Sequence, residues 1–267
     1  MTEADSPSPL PDRLPVSVFI IACNEADRIT RCINSVRDWA AEVLVIDSGS
    51  KDHTVAIAET LGARVLFREW QGYGPQKVFG ESLCGNDWIL NIDADEEISA
   101  SLQTELRMLF ADGEPACCAY RLPILPLYPF QTRGHPWTIT NRPVRLFRKS
   151  CAGFSDHPVH DSVLVHTGSV GDLKQPVLHR SFRSLTHHID KLNRYSSAQA
   201  ASLFQSGRRP SLWSLLLLPP LAFLKSYFLR REFVNGVDGI VISYMYAFQR
   251  FIRIAKARER FQQKDRA

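Results

Sequence analysis

Six cysteines are present, yet none forms a C-x-x-C pair or a zinc-like spacing, so the chain encodes neither a dithiol redox motif nor a structural zinc module. Most of Cys23, Cys32, Cys84, Cys117, Cys118 and Cys151 sit in apolar runs and read as buried free thiols. A G-x-G-x-x-G loop is missing, which leaves use of a nicotinamide dinucleotide unsupported. The opening MTEADSPSPLPDRLP has no apolar h-region and reads as a disordered tail over residues 1–14, an expectation that keeps the chain in the cytosol. There is no internal repeat, no aromatic RNA-binding signature and no helix-turn-helix pattern, so no nucleic-acid partner is expected.

What is present is the composition of a globular protein. The 267 residues are 45% hydrophobic and 22% charged, enough for one large domain or two small ones. The net charge of +4 conceals a division: residues 1–120 carry 9 Lys and Arg against 20 Asp and Glu, and residues 121–267 carry 23 against 8. An acidic part suited to a cation therefore precedes a basic part suited to phosphates or anionic lipid.

The apolar run VSVFIIA (Val16 to Ala22) predicts a strand buried on both faces. Ile29, Cys32, Ile33 and Val36 follow at helical spacing, and EVLVID (Glu42 to Asp47) predicts a second strand. A helix from Asp52 to Leu61 ended by Gly62, a strand from Arg64 to Phe67, a Gly-rich loop, a helix near Gln76 to Cys84 and the strand WILNID (Trp88 to Asp93) complete an alternating series. Leu102, Leu106, Leu109 and Phe110 mark one more helix. Such alternation implies an α/β fold with a mostly parallel sheet covered on both sides. Beyond Tyr120 short β-like pieces broken by proline read as a second layer, and the last sixty or so residues turn helical.

In open parallel sheets ligands lie beyond the carboxyl ends of the strands. Glu25, Asp47, and Asp93 with Asp95 stand at three such ends, and Glu96-Glu97 adds further negative charge. Clustered carboxylates are costly without a cation to neutralise them. Asp52 fits a helix cap instead.

The motifs IIACNE, VIDSGSKDHT and NIDADEE, in this order and each after a predicted strand, resemble those of the inverting family 2 glycosyltransferases of GT-A fold. The resemblance is strongest to the inner-core glucosyltransferase branch of lipopolysaccharide synthesis and runs on through LHRSF, LNRYS and the C-terminal helices. It implies a nucleotide-sugar-binding half over residues 15–120, an acceptor-binding and catalytic half over 121–205, and membrane-associating helices over 206–267. It further implies that Glu25 and Asp47 hold the ribose and base of the donor, expected to be UDP-glucose. Asp93 would contact ribose or metal, and Asp95 would coordinate Mg²⁺ or Mn²⁺ on the diphosphate, with His179 beside it. Arg183, together with Arg180, and Lys77 of GYGPQK would reach the nucleotide phosphates.

Inversion requires a base on the face of the sugar opposite the leaving group. His160-Asp161 stands where the resembling branch carries His-Glu, which makes Asp161 the candidate base on a side chain one methylene shorter. Transfer to a polyprenyl phosphate, whose acceptor would need less of a base, is an alternative, and a D-x-D phosphohydrolase with Asp93 as nucleophile is another.

The most apolar stretch, LWSLLLLPPLAFL, spans Leu212 to Leu224, shorter than the roughly 20 residues of a spanning helix, and Pro219-Pro220 is expected to break it. In the helix predicted from Ile240 to about Arg260, Val241, Tyr244, Met245, Phe248 and Ile252 share one face, while Arg250, Arg253 and Arg260 share another. A basic amphipathic helix beside such a segment predicts an interfacial anchor on the anionic cytoplasmic face of the inner membrane, facing a lipopolysaccharide-core or other lipid-linked acceptor.

Overall fold

The computed structural model describes residues 12–129, 131, 134–135, 137–157, 161–180 and 182–266. In chain order its elements are β1 (Leu14–Ala22), α1 (Ile29–Asn34), β2 (Ala40–Asp47), α2 (Thr54–Thr60), β3 (Arg64–Phe67), α3 (Tyr73–Leu83), β4 (Trp88–Asp93), β5 (Glu96–Ile98) and α4 (Ala100–Leu109). Short strands follow: β6 (Ala119–Arg121), β7 (Ile124–Pro126), β8 (Val144–Arg148), β9 (Ala152–Phe154), β10 (Val163–Val165), β11 (Val170–Asp172) and β12 (Val177–His179). The chain then becomes helical in α5 (Leu185–Gln205), α6 (Leu212–Leu224) and α7 (Gly236–Arg266). Two compact units result, Met1–Pro126 with Thr140–His179, and Leu127–Ile139 with Arg180–Ala267. Helix α5, which the sequence reading grouped with the acceptor half, thus belongs with the C-terminal helices.

In the first unit a seven-stranded sheet runs β11-β6-β8-β4-β1-β2-β3, with β1 parallel to both β2 and β4, and β8 antiparallel to β4 and β6. This is the expected GT-A-like arrangement of a mostly parallel sheet flanked by helices. The period of two along β1 explains its double burial: Val16, Val18 and Ile20 join the apolar cluster on one face, Phe19 and Ile21 the cluster on the other. Each such side chain contributes about 1.5–3 kcal/mol by leaving water. Ile29, Cys32 and Ile33 of α1, with Val36 after it, fill the first cluster as their spacing predicted.

Two features of this unit were not predicted. Helix α3 starts at Tyr73, earlier than the expected Gln76, because Gly72 takes φ 119° to make the turn and Pro75 falls in the first turn, where no N–H is required. Gly74 lies so close to the chain at Ser155–His157 that an added Cβ would stand 2.4 Å from the His157 carbonyl oxygen. Secondly, β5, β12 and β7 form a separate small sheet in which His179 is registered opposite Glu96.

The second unit is helical, with α7 packed on both α5 and α6. Contrary to expectation, Pro219 and Pro220 do not break α6, which passes through them and continues as a π turn at Lys225–Leu229. A proline's fixed φ is itself helical, and what it lacks is the N–H donor. The resulting 18-residue helix Leu212–Leu229, of mean hydropathy 1.5, is long and apolar enough by length and composition to cross a membrane, so proline does not exclude a span as the sequence reading held. On α7 the small residues Gly239, Ser243, Ala247 and Ala257 are buried, while Val241, Tyr244 and Phe248 of the predicted apolar face stand exposed.

Candidate active site

The sheet order places β1 between β2 and β4, so the chain's direction of growth reverses beside β1, and the carboxyl ends of these strands form the crevice where α/β folds bind ligands. Three of the predicted acidic motifs end there.

At the end of β1, Asn24 adopts φ 57°, a left-handed conformation that asparagine tolerates better than most residues. Its amide N–H donates to Ser50 Oγ (2.8 Å), and its side-chain oxygen accepts from Lys51 N (2.8 Å). Glu25 follows and pairs with Arg28 at 2.5 Å. At the end of β2, buried Asp47 accepts hydrogen bonds from Gly49 N (2.8 Å), Ser50 N (2.9 Å) and Ser50 Oγ (2.5 Å), which shapes the Ser48-Gly49-Ser50 turn. Asp52 accepts from Thr54 N at 3.0 Å and from Ala26 N at 3.1 Å, so it caps the start of α2 and ties the first two motifs together.

The end of β4 contains the densest charge. Asp93 lies 3.1 Å from Lys77 Nζ and 3.3 Å from Arg145 Nη2. Burial opposes its ionisation, but the two cations outweigh burial and hold its carboxyl well below the usual range. Glu96, wholly buried against Arg145 at 3.3 Å, is raised instead, since burial and the neighbouring Asp93 charge exceed what Arg145 supplies. Arg145 also donates to Asn91 Oδ1 at 2.6 Å, and burial notwithstanding, its acids push its own pKa upward.

Lys77 is not a loop lysine reaching outward. Carried on α3, it is 0% exposed and bridges Asp93 to Asp161, whose Oδ2 lies 2.5 Å from its Nζ. The Phe154 ring lies 5.5 Å from the same nitrogen. A buried ammonium persists only when paired, and here two carboxylates pair it. Asp161 is thereby drawn to the D-x-D segment through Lys77, which precedes it by 84 positions of sequence. His160, its predicted companion, lies outside the described residues.

Asp95 is the centre of a second group. Its Oδ2 is 3.3 Å from His179 Nε2 and 3.4 Å from Arg28, which in turn holds Glu25. Burial would lower the His179 pKa, but the Asp95 hydrogen bond and the surrounding acids raise it; Asp95, buried yet bonded to His179, is lowered. The β5–β12 pairing delivers His179 here. Arg183 belongs to the second unit, immediately before the Ser184 cap of α5, and Arg180 of that unit donates to the Gln131 carbonyl at 2.9 Å.

The site residues therefore fall in two groups of alternating acids and bases, Asp161–Lys77–Asp93–Arg145–Glu96 and Glu25–Arg28–Asp95–His179, set side by side by the pairing of His179 with Glu96. Asp47 borders the second through the turn that carries Ser50. Arg28 and Arg145 are members that sequence reasoning missed. Arg28 stands in the IIACNE motif's wake and Arg145 inside β8, one of the short β-like pieces beyond Tyr120; a cation within an apolar strand, in a protein with clustered acids elsewhere, was the available signal.

No group of three or more His, Cys, Asp and Glu among the described residues is placed to hold a metal ion. Asp95 and His179 together offer one oxygen and one nitrogen at a single point. That set fits a hard divalent cation that keeps waters and takes its remaining ligands from substrate phosphates, and it does not fit a closed all-protein cage.

Comparison with known proteins gives the family. Residues 17–160 match the family described as Glycosyl transferase family 2. An uncharacterized glycosyltransferase of Rickettsia felis (strain ATCC VR-1525 / URRWXCal2) is 43% identical over 91% of this chain and 89% of its own length. The lipopolysaccharide core biosynthesis glycosyltransferase LpsC of Rhizobium meliloti (strain 1021) is 31% identical over 93% of each chain. The crystal structure of S. aureus TarS 1-349 covers 93% of this chain and 91% of that one at 12% identity, with a TM-score of 0.47. With more than half of its length matched by the family and its acids gathered where the fold binds ligands, the chain belongs to glycosyl transferase family 2 and is a transferase enzyme.

Proposed function

We propose that the protein is an inverting hexosyltransferase that moves glucose from UDP-glucose to a sugar of a lipopolysaccharide inner core, working on the cytoplasmic face of a membrane. The observation that carries the chemistry is the Asp93–Lys77–Asp161 bridge, which holds a candidate base beside the carboxylates of the donor site. The acceptor class rests on the likeness to LpsC over nearly all of both chains. Family membership sets the phosphohydrolase reading aside.

In this reading Glu25 and the Asp47-pinned turn receive the ribose and base, and Asp93 orients the ribose. Asp95 and His179 would hold Mg²⁺ or Mn²⁺, which when bound supplies positive charge to the departing diphosphate. The acceptor hydroxyl attacks the anomeric carbon from the face opposite the diphosphate. Asp161 takes the hydroxyl proton as the new C–O bond forms and the bond to the diphosphate oxygen breaks, releasing UDP. Lys77 positions the Asp161 carboxylate. Membrane attachment rests on the second unit, where Trp213, Leu217, Leu221, Phe228 and Tyr244 are all exposed.

A panel of nucleotide-sugars scored by UDP or other nucleotide release onto core-truncated lipopolysaccharide, with and without Mn²⁺, tests the reading. Metal-dependent release from UDP-glucose is expected. Release from a different donor only would overturn the sugar, and transfer to polyprenyl phosphate in preference to the core would overturn the acceptor.

A further inference from the structure

On the second unit, cations surround a single phenol. The Arg230 guanidinium lies 4.6 Å and that of Arg250 5.3 Å from the centroid of the Tyr246 ring, and Arg250 Nη2 also donates to the Tyr246 hydroxyl at 2.9 Å. Lys225, at the end of α6, adds its charge to the same phenol, and Arg253, one turn along α7 from Arg250, feels both Arg250 and Tyr246. No carboxylate pairs with any of these four cations among the described residues, although Arg209 of the same unit has Asp265 at 2.7 Å. Arg253 Nε is buried without an acceptor. The electrostatic consequences agree: the Arg250 hydrogen bond and the other cations hold the phenol of Tyr246 below its ordinary value, and burial together with Arg250 depresses Arg253.

Gathering like charges without a counter-charge is unfavourable, and an anion at the centre of the group would reverse the sign. Guanidinium pairs are suited to phosphate oxygens because their N–H groups present a planar fork. The surroundings narrow the anion further. Leu224, Phe228 and Leu229 flank Lys225 and Arg230, Tyr244 and Phe248 flank Tyr246, and all five are exposed apolar side chains. A soluble phosphate has no use for such a border, whereas a phosphodiester bearing acyl chains matches both parts.

We propose that Lys225, Arg230, Arg250 and Arg253, arranged around Tyr246, form a binding site for the phosphate of an anionic lipid headgroup. The inference rests on the membrane part of the reading above and is independent of its chemistry. It differs from a diffuse basic surface in requiring these particular cations.

The test is sedimentation of the full-length protein with phosphatidylcholine vesicles and with vesicles containing 30% phosphatidylglycerol as the probe. The wild type is compared with R230Q/R250Q and with the charge-matched R258Q/R260Q, whose residues are exposed further along α7. Unchanged far-UV circular dichroism controls for folding. The site double variant is expected to lose about tenfold or more in affinity for the anionic vesicles while binding neutral ones as before, and the control double variant to lose less than about threefold. Y246F, which removes the hydroxyl that anchors Arg250, is expected to lose about threefold and serves if the double variant is poorly folded. Equal losses in the two double variants would overturn the site in favour of diffuse charge. Undiminished vesicle binding by R230Q/R250Q, with loss only of a thermal shift produced by inorganic phosphate, would show a free-phosphate site and overturn the lipid. Absence of binding to either vesicle would overturn the membrane reading together with the site, whereas binding to both without any phosphatidylglycerol increment would overturn the site alone.

Discussion

Lys77 and Asp161 form the ion pair on which the proposed chemistry depends, and two substitutions separate their contributions. Asp161→Asn keeps the shape of the side chain but removes the base, so kcat is expected to fall about 10²- to 10⁴-fold, with the donor-induced thermal shift retained. Lys77→Met keeps an apolar stem in the same space but leaves Asp93 and Asp161 without their shared cation. A loss of about 3 kcal/mol in urea unfolding is expected alongside the loss of activity, and an unchanged midpoint would show that the bridge is not a stabilising contact.

The buried thiols give a prediction of pH dependence. Burial, reinforced by Glu42, pushes the Cys84 thiol from 9.0 up to about 12. The folded form keeps this proton where the unfolded form releases it, so the thiol's contribution is fully present below about pH 9 and is lost as pH rises toward 12. Each unit in that window is worth up to about 1.4 kcal/mol. Urea midpoints at pH 8 and pH 10.5 are expected to differ less in Cys84→Ala than in the wild type. At the residue scale Glu25, Asp47, Asp93 and Asp95 were legible because each closes an apolar strand run, and Asp161 only through the resemblance of His160-Asp161 to a His-Glu pair. Arg28 and Arg145 were not, because they look like surface residues until the topology closes them over Asp95 and Asp93, and Lys77 was legible as a site residue but not as the partner of Asp93 and Asp161.

Among the elements, those with strong periodicity were readable, namely β1, β2, β4 and the helices α1 and α4. The short strands β5, β9, β11 and β12, each three residues long, were not. A three-residue strand has too few alternations to show a pattern and is defined by its partner; β12 exists because Val177 and His179 pair with Ile98 and Glu96. This is also why the proximity of His179 to Asp95 was not derivable from spacing. Helix α3 supplies the element-scale prediction. Its first turn approaches the chain at Ser155–His157 only because residue 74 has no side chain. Gly74→Ala is expected to cost about 2 kcal/mol and to lower kcat by displacing Lys77 from Asp161. Calorimetry and donor turnover would check it, and wild-type values for both would mean the close approach relaxes without consequence.

For the whole molecule, the charge division of the sequence does not bound the site. The candidate site draws on both parts: the acidic one supplies Glu25, Asp93, Asp95 and Glu96 with Arg28 and Lys77, and the basic one supplies Arg145, Asp161 and His179. In the basic part, α7 buries Gly239, Ser243, Ala247, Ile254, Ala257 and Phe261, while Val241, Tyr244 and Phe248 of the predicted apolar face stand exposed. Periodicity shows that a helix has an apolar face, and the packing of its neighbours decides which residues are covered. Trp213, Leu217 and Leu221, all exposed on α6, offer the test. The triple change to Gln is expected to abolish sedimentation with neutral vesicles and to keep turnover on a detergent-dispersed acceptor. Retained sedimentation would mean that these residues do not meet the bilayer.

The Lys77 bridge has one more consequence. Lys77 comes from α3, Asp93 from the end of β4 and Asp161 from 84 positions beyond Lys77, so no local fragment of the chain can assemble it. The proposed base meets the carboxylates at the end of β4 only when these distant segments have docked. A partly folded chain that holds the sheet without that docking is therefore expected to be catalytically silent.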